Sequence, residues 1–431
     1  MLRTHYSSEV TEKLDGKNVV VSGWVRTLRD IGKTKFLIIA DMSGEIQITA
    51  KKGEVSDKIF EKMKALSRED VVSVSGLVKK NNAAPGKREV TPKDIKILAK
   101  AETPLPLETD PRIKSNLDTR LDFRFLDMRK PEVRAVFRIK DVIQRSFVRY
   151  LETQGFVLLN TPVIVAAATE GGTNLFPISY FEKEAFLGQS PQLYKQMMMA
   201  SGFDKVAIVI PVFRAEDHDT SFHLNETTQM DIEVAFVEDE QDVLNYMGGV
   251  VNYIYKQVKK ECEGELELLK RKLIIPRLPV KQLTYDEALK IVNKEIKLEW
   301  GEDFTPEAQR LLNKKFNPLI TTKWPTKLRA FYSMPEPGNE KICRAYDMII
   351  DGVEVCSGAQ RVHDYKQLVK IMEKKGMNPD NFEFYLNAFR YGMPPHAGWS
   401  FGLERLTMAI AGKSNIRECM LFPRDRNRLT P

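Results

Sequence analysis

Short strand signals follow one another through the first quarter of the chain. Runs rich in β-branched residues, partly alternating between apolar and polar, cover residues 19–25, 36–39, 45–49 and 71–78. A turn at 42–44 separates the second run from the third, and one helical segment at 57–66 interrupts the series. About five strands and one helix in roughly 90 residues is the pattern of a small Greek-key barrel of the OB type. The sequence therefore predicts a separate barrel domain over residues 1–103.

The predicted barrel is basic, whereas the rest of the chain is close to neutral. Residues 1–103 hold 20 Lys and Arg against 14 Asp and Glu, which accounts for six of the seven net positive charges of the whole chain. A basic surface favours a polyanionic partner, although it also serves solubility alone. Barrels of this type bind single-stranded nucleic acid by stacking bases on aromatic rings in a basic groove. Phe36 beside Gln47, with Arg26 and Arg29 nearby, is a candidate base-reading surface. The alternative for Phe36 is a place in the barrel core.

Length and composition limit the classes of protein to which this chain can belong. With 431 residues the chain is long for one core, so two or three domains are expected. Hydrophobic and charged contents of 42% and 29% are typical of soluble globular proteins, and no apolar run approaches the ~18 residues that span a bilayer. The first residues lack the apolar core of a secretory signal. The four cysteines are scattered without paired spacing, which favours a reducing compartment and argues against zinc. We expect a cytoplasmic protein that does not enter a membrane.

Prolines and helical periodicity divide the remainder of the chain. Pro104, Pro106 and Pro111 exclude a regular helix, so residues 104–132 are predicted to be a linker. A large domain is then expected over 133–431. It begins with a long amphipathic helix, continues into a strand at 156–159 that ends before Pro162, and includes a peripheral, mainly helical insertion at about 245–340.

The stretch 213–236 is predicted to form two strands separated by a long polar loop. Arg214, Glu216 and His223 precede or lie in the loop, and Asp231 alternates with Glu233 on the return strand. An arginine supplies a planar fork for phosphate oxygens, and a carboxylate accepts from an adenine amino group. A nucleoside triphosphate site is one interpretation, and a solvated surface hairpin is the other.

Other short stretches carry polar groups suited to small ligands. Ser190, Gln192 and Lys195 place a hydroxyl, an amide and an ammonium within six residues. The glycine-rich loop 169–173 is suited to a lid. Asp347 and Glu354 flank a turn, so they are expected to approach each other on adjacent strands and hold Mg²⁺.

The last such stretch begins at Arg361 and ends in a glycine-kinked strand that runs into a helix. Arg361 lies seven residues beyond Glu354, where it can neutralise a carboxylate. Gly402 lies at the end of the kinked strand, and Arg405 is expected at the start of the helix, which favours phosphate binding.

Taken together, these stretches resemble the class II aminoacyl-tRNA synthetases, and within them the aspartyl-tRNA synthetases of archaeal and eukaryotic type. Residues 155–162, 213–236 and 398–406 are similar to the three motifs of that class, in the right order and at sensible spacing. The resemblance covers essentially the whole chain. It implies an α+β fold in which an OB-type anticodon-binding barrel precedes a catalytic domain built on a mainly antiparallel sheet flanked by helices. It also implies a homodimer, since the first motif builds the dimer interface in the family.

The resemblance assigns roles residue by residue. Lys195 and Arg361 would pair with the β-carboxylate of aspartate, and Lys195 is typically missing from the related asparaginyl enzymes. The aspartate-binding set is Glu170, Ser190, Gln192, Lys195, Asp231, Ser357 and Arg361. The ATP-binding set is Arg214, Glu216, His223, Glu354, Gly402 and Arg405. The Mg²⁺ set is Asp347, Glu354 and Ser357, and the residues that would catalyse the reaction are Arg214, Arg405, Lys195 and Arg361.

The tRNA partner is less tightly constrained than the amino acid. The implied anticodon-binding residues are Arg26, Arg29, Phe36, Gln47, Pro85 and Glu89. Family members strict for tRNA-Asp resemble one another in a Trp and a Lys at positions 26 and 85, whereas relaxed members that also charge tRNA-Asn tend to carry His and Pro. Arg26 and Pro85 match neither set and lean to the relaxed one.

Two alternatives and one departure accompany this interpretation. The alternatives are an asparaginyl-tRNA synthetase, which Lys195 opposes, and an RNA-binding protein with a vestigial catalytic domain, which the intact set of charged residues opposes. The departure is Ser400, which stands where the third motif commonly has a glycine.

Overall fold

The computed structural model describes residues 2–166, 175–217 and 220–431, and the chain forms two compact units, Met1–Pro106 and Leu107–Pro431. The division falls inside the stretch 104–132 that the sequence assigns to a linker. In the described part of the chain, no helix is long and apolar enough to cross a membrane. The predicted α+β fold, an OB-type barrel followed by a mainly antiparallel sheet with helices, is confirmed.

The first unit is a closed five-stranded barrel with the strand order β1-β2-β3-β5-β4. Alternation along the strands points Val19, Val21 and Val25 inward, and α1 adds Ile59 and Met63 to the same core. Phe36 is half-buried and lies outside this core, so the core alternative for it is wrong. The elements are β1 (Asn18–Ile31), β2 (Thr34–Ala40), β3 (Glu45–Lys51), α1 (Asp57–Lys64), β4 (Val71–Lys80) and β5 (Arg88–Ala99), with 3-10 turns at Glu12–Leu14 and Pro85–Lys87.

The second unit is built on a nine-stranded sheet flanked by helices. Its helices are α2 (Leu117–Asp122), α3 (Arg124–Asp127), α4 (Pro131–Thr153), α5 (Gln192–Met199), α6 (Gln241–Glu261), α7 (Glu263–Leu268), α8 (Tyr285–Val292), α9 (Pro306–Lys315), α10 (Tyr365–Lys374), α11 (Glu383–Arg390) and α12 (Leu403–Ala411). Its strands are β6 (Val157–Leu158), β7 (Ile164–Val165), β8 (Pro177–Tyr180), β9 (Lys183–Leu187), β10 (Lys205–Phe213), β11 (Glu226–Ala235), β12 (Lys281–Thr284), β13 (Leu319–Pro325), β14 (Pro335–Glu336), β15 (Asn339–Ile350), β16 (Val353–Gln360) and β17 (His396–Gly402). Further 3-10 turns cover Thr326–Leu328, Pro379–Phe382 and Ile416–Cys419.

The sheet follows the order β12-β13-β15-β16-β17-β11-β10-β6, with β14 paired to β15. Its pairs are antiparallel except β12 with β13 and β10 with β6. Strands β7, β9 and β8 form a separate small sheet. The helix expected from residue 133 onward is α4, whose buried stripe from Val133 to Leu151 packs against the same core as α6 and α12. Pro131 occupies its first turn, where proline costs no hydrogen bond.

The region 245–340 differs from the expected peripheral helical insertion. Strands β12 and β13 belong to the main sheet, and α8 and α9 pack with them around Trp324 and Tyr285. Charged residues on exposed helix faces dominate the composition of this region and hide the two short strands. The second half of the expected linker also differs, because α2 and α3 belong to the second unit. Buried Arg124 donates to the backbone carbonyls of Glu418, Met420 and Leu421 and pairs with Asp127.

Candidate active site and nucleic-acid interface

A cavity of about 330 Å³ opens over strands β11, β16 and β17, within the size range of small-molecule sites. Asp231, Ser400 and Ser357 stand opposite one another across these three strands. The cavity gathers side chains that are far apart in sequence. The sequence-predicted residues that line it are Ser190, Gln192, Lys195, Arg214, Glu216, His223, Glu354, Ser357, Arg361, Gly402 and Arg405. The predicted Glu170 and the loop 169–173 that carries it lie outside the described residues.

Four buried charges form the inner wall of the cavity. Lys195 Nζ donates to Asp231 Oδ1 at 2.9 Å and lies 3.4 Å from Glu233 Oε2. Arg361 donates from Nε and Nη2 to the two carboxylate oxygens of Glu233 at 2.9 and 3.2 Å. Lys195 and Arg361 line the cavity, while the two carboxylates lie behind them. Glu233 therefore holds both cations in place at the cavity wall.

The two carboxyl groups of this wall respond differently to burial. Burial raises the pKa of Asp231, and Lys195 only partly opposes this. Burial also pushes the pKa of Glu233 upward, but Arg361 and Lys195 outweigh it and hold that pKa below its ordinary value. Glu233 is thus an ionised counter-ion to both cations. Its role is absent from the sequence prediction, although its spacing of two from Asp231 on one strand places both side chains on one face.

Gly398 lets the buried wall close against β17. A Cβ atom at this position would lie 2.1 Å from Glu233 Oε2 and 2.2 Å from the carbonyl oxygen of Ile232. Ser400, the departure from the third motif, lines the cavity and donates its hydroxyl to Asp231 Oδ2 at 3.0 Å. The serine therefore becomes part of the carboxylate wall.

Two further arginines line the cavity in addition to the buried wall. Arg214 follows directly on β10, and among the described residues its guanidinium makes no ion pair. Arg405 lies in the first turn of α12 and is 3.8 Å from Glu354 Oε1. His223 accompanies them, with its Nε2 3.9 Å from Glu216 Oε2. Two arginines and a helix N-terminus on one cavity are suited to the phosphates of a nucleotide.

The β15–β16 hairpin carries the predicted Mg²⁺ residues. Asp351 and Gly352 both have positive φ, as a two-residue hairpin turn of this kind requires. The structure differs from the prediction at Asp347, whose carboxylate accepts from both terminal nitrogens of Arg329 rather than facing the cavity. Arg329 Nη1 also lies 3.2 Å from Ser357 Oγ, and its guanidinium stacks on Trp324. Arg329 lies in no recognisable sequence motif, so its contact with Asp347 is absent from the sequence prediction.

Glu354 and Ser357 remain as oxygen donors on the cavity. Among the described residues, no group of three or more His, Cys, Asp or Glu side chains is arranged to hold a metal. A carboxylate and a hydroxyl nevertheless fit a hard cation such as Mg²⁺, which commonly takes its other ligands from water and phosphate oxygens. Burial first, and then the negative charge of Asp347, raise the pKa of Glu354 to about 7, although Arg405 and Arg329 oppose the rise.

This raised pKa predicts a pH-dependent gain in stability for Glu354→Gln. Folded Glu354 binds its proton more tightly than the unfolded chain, whose carboxyl has a pKa near 4.5, so the wild-type free energy of unfolding falls as pH rises from that value through 7. With a metal chelator present, the melting temperature of E354Q should exceed that of wild type at about pH 8. At about pH 5 the two melting temperatures should be much closer. Glu340→Gln, at an exposed carboxylate, is the control. An equal difference at both pH values would contradict the assignment.

The barrel carries the other predicted interface. Phe36 stands opposite Arg29 in the β1–β2 register and opposite Thr49 in the β2–β3 register. Buried Glu89 accepts from Gln47 Nε2 and Asn81 Nδ2, each at 2.9 Å. An aromatic ring, an exposed arginine and an oriented amide thus share one face of the barrel, which is an arrangement suited to unpaired bases.

The structure also describes Arg26 and Pro85, the two positions that the resemblance links to tRNA choice. Arg26 Nη1 donates to Glu69 Oε1 at 2.6 Å, and the Glu69 side chain is buried. Pro85 is exposed at the start of a 3-10 turn. Arg26 is therefore held by an internal carboxylate.

Comparison with known proteins decides the family. The model for class II tRNA synthetases of the D, K and N group matches residues 116–426, and the model for OB-fold nucleic acid binding domains matches 19–98. The chain belongs to the class II tRNA synthetases. This aminoacyl-tRNA ligase family uses ATP with a divalent metal.

Relatives of this synthetase match it along its whole length. The aspartate–tRNA(Asp/Asn) ligases of Methanococcus vannielii and Methanocaldococcus jannaschii are 48% and 47% identical, over 100% of this chain and 98% of each relative. Among solved structures, asparaginyl-tRNA synthetase from Pyrococcus horikoshii with asparaginyl-adenylate has a TM-score of 0.95 at 33% identity, covering 100% of both chains. An aspartyl-tRNA synthetase from Entamoeba histolytica has a TM-score of 0.88 at 31% identity, covering 99% of this chain and 92% of the other.

Proposed function

We propose that this synthetase is an aspartate–tRNA ligase. It activates L-aspartate with ATP to aspartyl-adenylate and pyrophosphate, then transfers aspartate to the 3′ end of tRNA. The observation that carries the proposal is the pair of cations Lys195 and Arg361, which line the cavity while Glu233 orients them from behind. A ligand carboxylate satisfies both cations. An asparagine side chain would instead turn an amide NH₂ toward donors that offer it no acceptor, which is a costly mismatch.

The remaining cavity residues have roles in this reaction. Ser190 and Gln192 contact the substrate ammonium, while Asp231 lies behind the cavity wall, where it accepts from Lys195 and Ser400. Arg214 bridges the substrate α-carboxylate and the α-phosphate of ATP, and Arg405 contacts the γ-phosphate. Glu216 and His223 contact ATP, and Gly402 brings its backbone to the cavity beside Arg405.

Positioning and charge account for both steps. Held by Arg214, the α-carboxylate of aspartate attacks the α-phosphorus in line and pyrophosphate leaves. The 3′ hydroxyl of the tRNA then attacks the carbonyl carbon of the mixed anhydride, and AMP leaves. Neither step needs a protein nucleophile. Glu354 and Ser357 would hold Mg²⁺, which supplies positive charge to the phosphate oxygens when bound, whereas Asp347 is engaged by Arg329.

Similarity of fold does not choose between the aspartyl and asparaginyl activities, because both classes are structural neighbours of this chain. The choice rests on Lys195. A protein that binds RNA without catalysis is opposed by the assembled cavity, which eleven of the predicted residues line. A cytoplasmic location agrees with four cysteines that are all free and buried.

For the tRNA partner we propose relaxed choice, so that tRNA-Asp and tRNA-Asn are both charged with aspartate. Pro85 and the names of the curated relatives support this. Transcripts with GUC and GUU anticodons should be aspartylated with kcat/KM values within about 10-fold of each other. A transcript altered at the middle anticodon base is the control and should be charged poorly. A ~100-fold preference for GUC, about 2.7 kcal/mol, would defeat relaxed choice without affecting amino-acid activation.

We also propose a homodimer. Val157 and Leu158 on the short edge strand β6 are 42% and 49% exposed in the single chain, which leaves an apolar edge next to α4. Sedimentation should give about twice the chain mass of 49.4 kDa. Leu158→Asp should shift the protein toward monomer, whereas Ile274→Asp, at another exposed apolar residue, should not. A wild-type monomer would refute this proposal.

A further inference from the structure

A chain of buried polar groups runs from the cavity into the second unit behind Gln192. Gln192 and Gln196 are one turn apart on α5, and Gln192 Nε2 donates to Gln196 Oε1 at 2.9 Å. Gln196 Nε2 lies 2.9 Å from His396 Nε2, and His396 Nδ1 lies 2.8 Å from the carbonyl oxygen of Pro394. Tyr385 OH also donates to Gln196 Oε1, at 3.1 Å. The reaction as described above uses none of Gln196, His396 or Tyr385.

The donor and acceptor of every hydrogen bond in this series are set by the carbonyl oxygen of Pro394. A carbonyl oxygen only accepts, so His396 Nδ1 must carry the proton that it donates to Pro394. In a neutral imidazole the other nitrogen is then an acceptor, so Gln196 must turn its NH₂ toward His396 Nε2. This leaves Gln196 Oε1 to accept from Gln192 and Tyr385. The amide of Gln192 is thereby fixed with its NH₂ pointing inward.

We propose that His396 and Gln196 are positioning residues that fix the amide of Gln192 so that its carbonyl oxygen, an obligate acceptor, faces the substrate ammonium in the cavity. Gln192 lines the cavity, and no described residue donates to its Oε1. The inference rests on the proposed function in one respect, since the ammonium belongs to the amino acid substrate. A free glutamine would turn either its oxygen or its NH₂ toward the ligand, and the NH₂ repels an ammonium.

Because His396 is neutral at physiological pH, the hydrogen bonds from Gln192 through Gln196 to His396 keep these directions. Burial lowers the pKa of His396 to about 4, with Arg361 and His363 acting in the same sense and Glu233 opposing them. Phe389 packs near the imidazole ring as an apolar neighbour. Protonation of His396 Nε2 would reverse Gln196 and then Gln192, but it requires a pH far below neutral.

The test compares ligands that differ only in the ammonium. In wild type, the KM for aspartate is measured by ATP–pyrophosphate exchange, and the inhibition constant of succinate, which lacks the amino group, is measured in the same assay. Gln196→Leu, or Gln196→Met if the leucine variant folds poorly, should raise the KM for aspartate about 10-fold because Gln192 is free to turn. The succinate inhibition constant and the KM for ATP should stay within about 2-fold of wild type.

Two further variants separate direction from simple loss of a hydrogen bond. Tyr385→Phe removes a donor to the same oxygen without reversing any bond, so the KM for aspartate should change less than about 3-fold. In the Gln196→Leu background, Gln192→Glu presents an acceptor in every orientation and should return the KM for aspartate toward wild type.

The outcomes that overturn the inference are an unchanged KM for aspartate in both Gln196 variants, an equal loss for succinate, or failure of the Gln192→Glu rescue. Wild-type exchange that does not respond to aspartate at all would instead overturn the proposed function, so the two failures are distinguishable.

Discussion

Lys195→Met is expected to lower kcat/KM for aspartate in ATP–pyrophosphate exchange by at least about 1,000-fold. The substitution removes one of the two cations proposed to receive the β-carboxylate, and it leaves Asp231 and Glu233 without the lysine beside them. The loss therefore exceeds that of a single hydrogen bond. The barrel is a separate unit, so binding of tRNA should be retained.

Removing a buried cation also costs stability, by about 3–5 kcal/mol for a buried pair, so a second variant is needed. Lys195→Arg keeps the positive charge beside Asp231 while displacing it from the position of the ammonium. It should fold and still lose most aspartate activation. Lys366→Met, at an exposed lysine on α10, is the control. If either Lys195 variant activates aspartate as well as wild type, the β-carboxylate site is wrongly assigned.

Arg214→Ala is expected to lower kcat for exchange by about 100- to 1,000-fold, which corresponds to about 2.7–4 kcal/mol of transition-state stabilisation. In the proposed reaction, the guanidinium of Arg214 stabilises the charge that develops on the α-phosphoryl oxygens, and Arg405 contacts a different phosphate. Among the described residues Arg214 makes no ion pair, so its removal leaves no buried charge behind. The free energy of unfolding should accordingly change by less than about 0.5 kcal/mol.

Arg277→Ala, at an exposed arginine outside the cavity, should leave both exchange and stability unchanged. A loss in R214A that appears only as a raised KM for ATP would contradict the transition-state role, because it would mean that Arg214 binds the ground state equally well. A large loss of stability in R214A would contradict the expectation that its removal leaves no buried charge unpaired.

Local sequence patterns are enough to predict much of the fold and many of the cavity residues. Alternating β-branched runs predict the barrel, and the helical stripe from Val133 to Leu151 predicts α4, because each pattern depends only on neighbours along the chain. The cavity residues are predictable because they lie in short polar stretches with distinctive spacing. Strands β12 and β13 escape prediction since their pairing partners are distant and their surroundings are highly charged.

The groups that sequence reasoning missed act through contacts between distant segments. Glu233 gains its role only when Lys195 and Arg361 arrive from other elements. Arg329 follows the 3-10 turn Thr326–Leu328, in a region that shows no motif, and it donates to the carboxylate of Asp347. The proposed Mg²⁺ set is therefore limited to Glu354 and Ser357. Such pairings depend on tertiary register, and no local pattern reports them.

The aspartate activity is tested most directly by exchange of pyrophosphate into ATP with each amino acid in turn. Purified wild-type protein with ATP and Mg²⁺ should exchange in the presence of aspartate, with kcat/KM at least about 1,000-fold above that for asparagine. The same ranking should hold without tRNA, because the two cations act before transfer. Exchange stimulated by asparagine and not by aspartate would contradict the account.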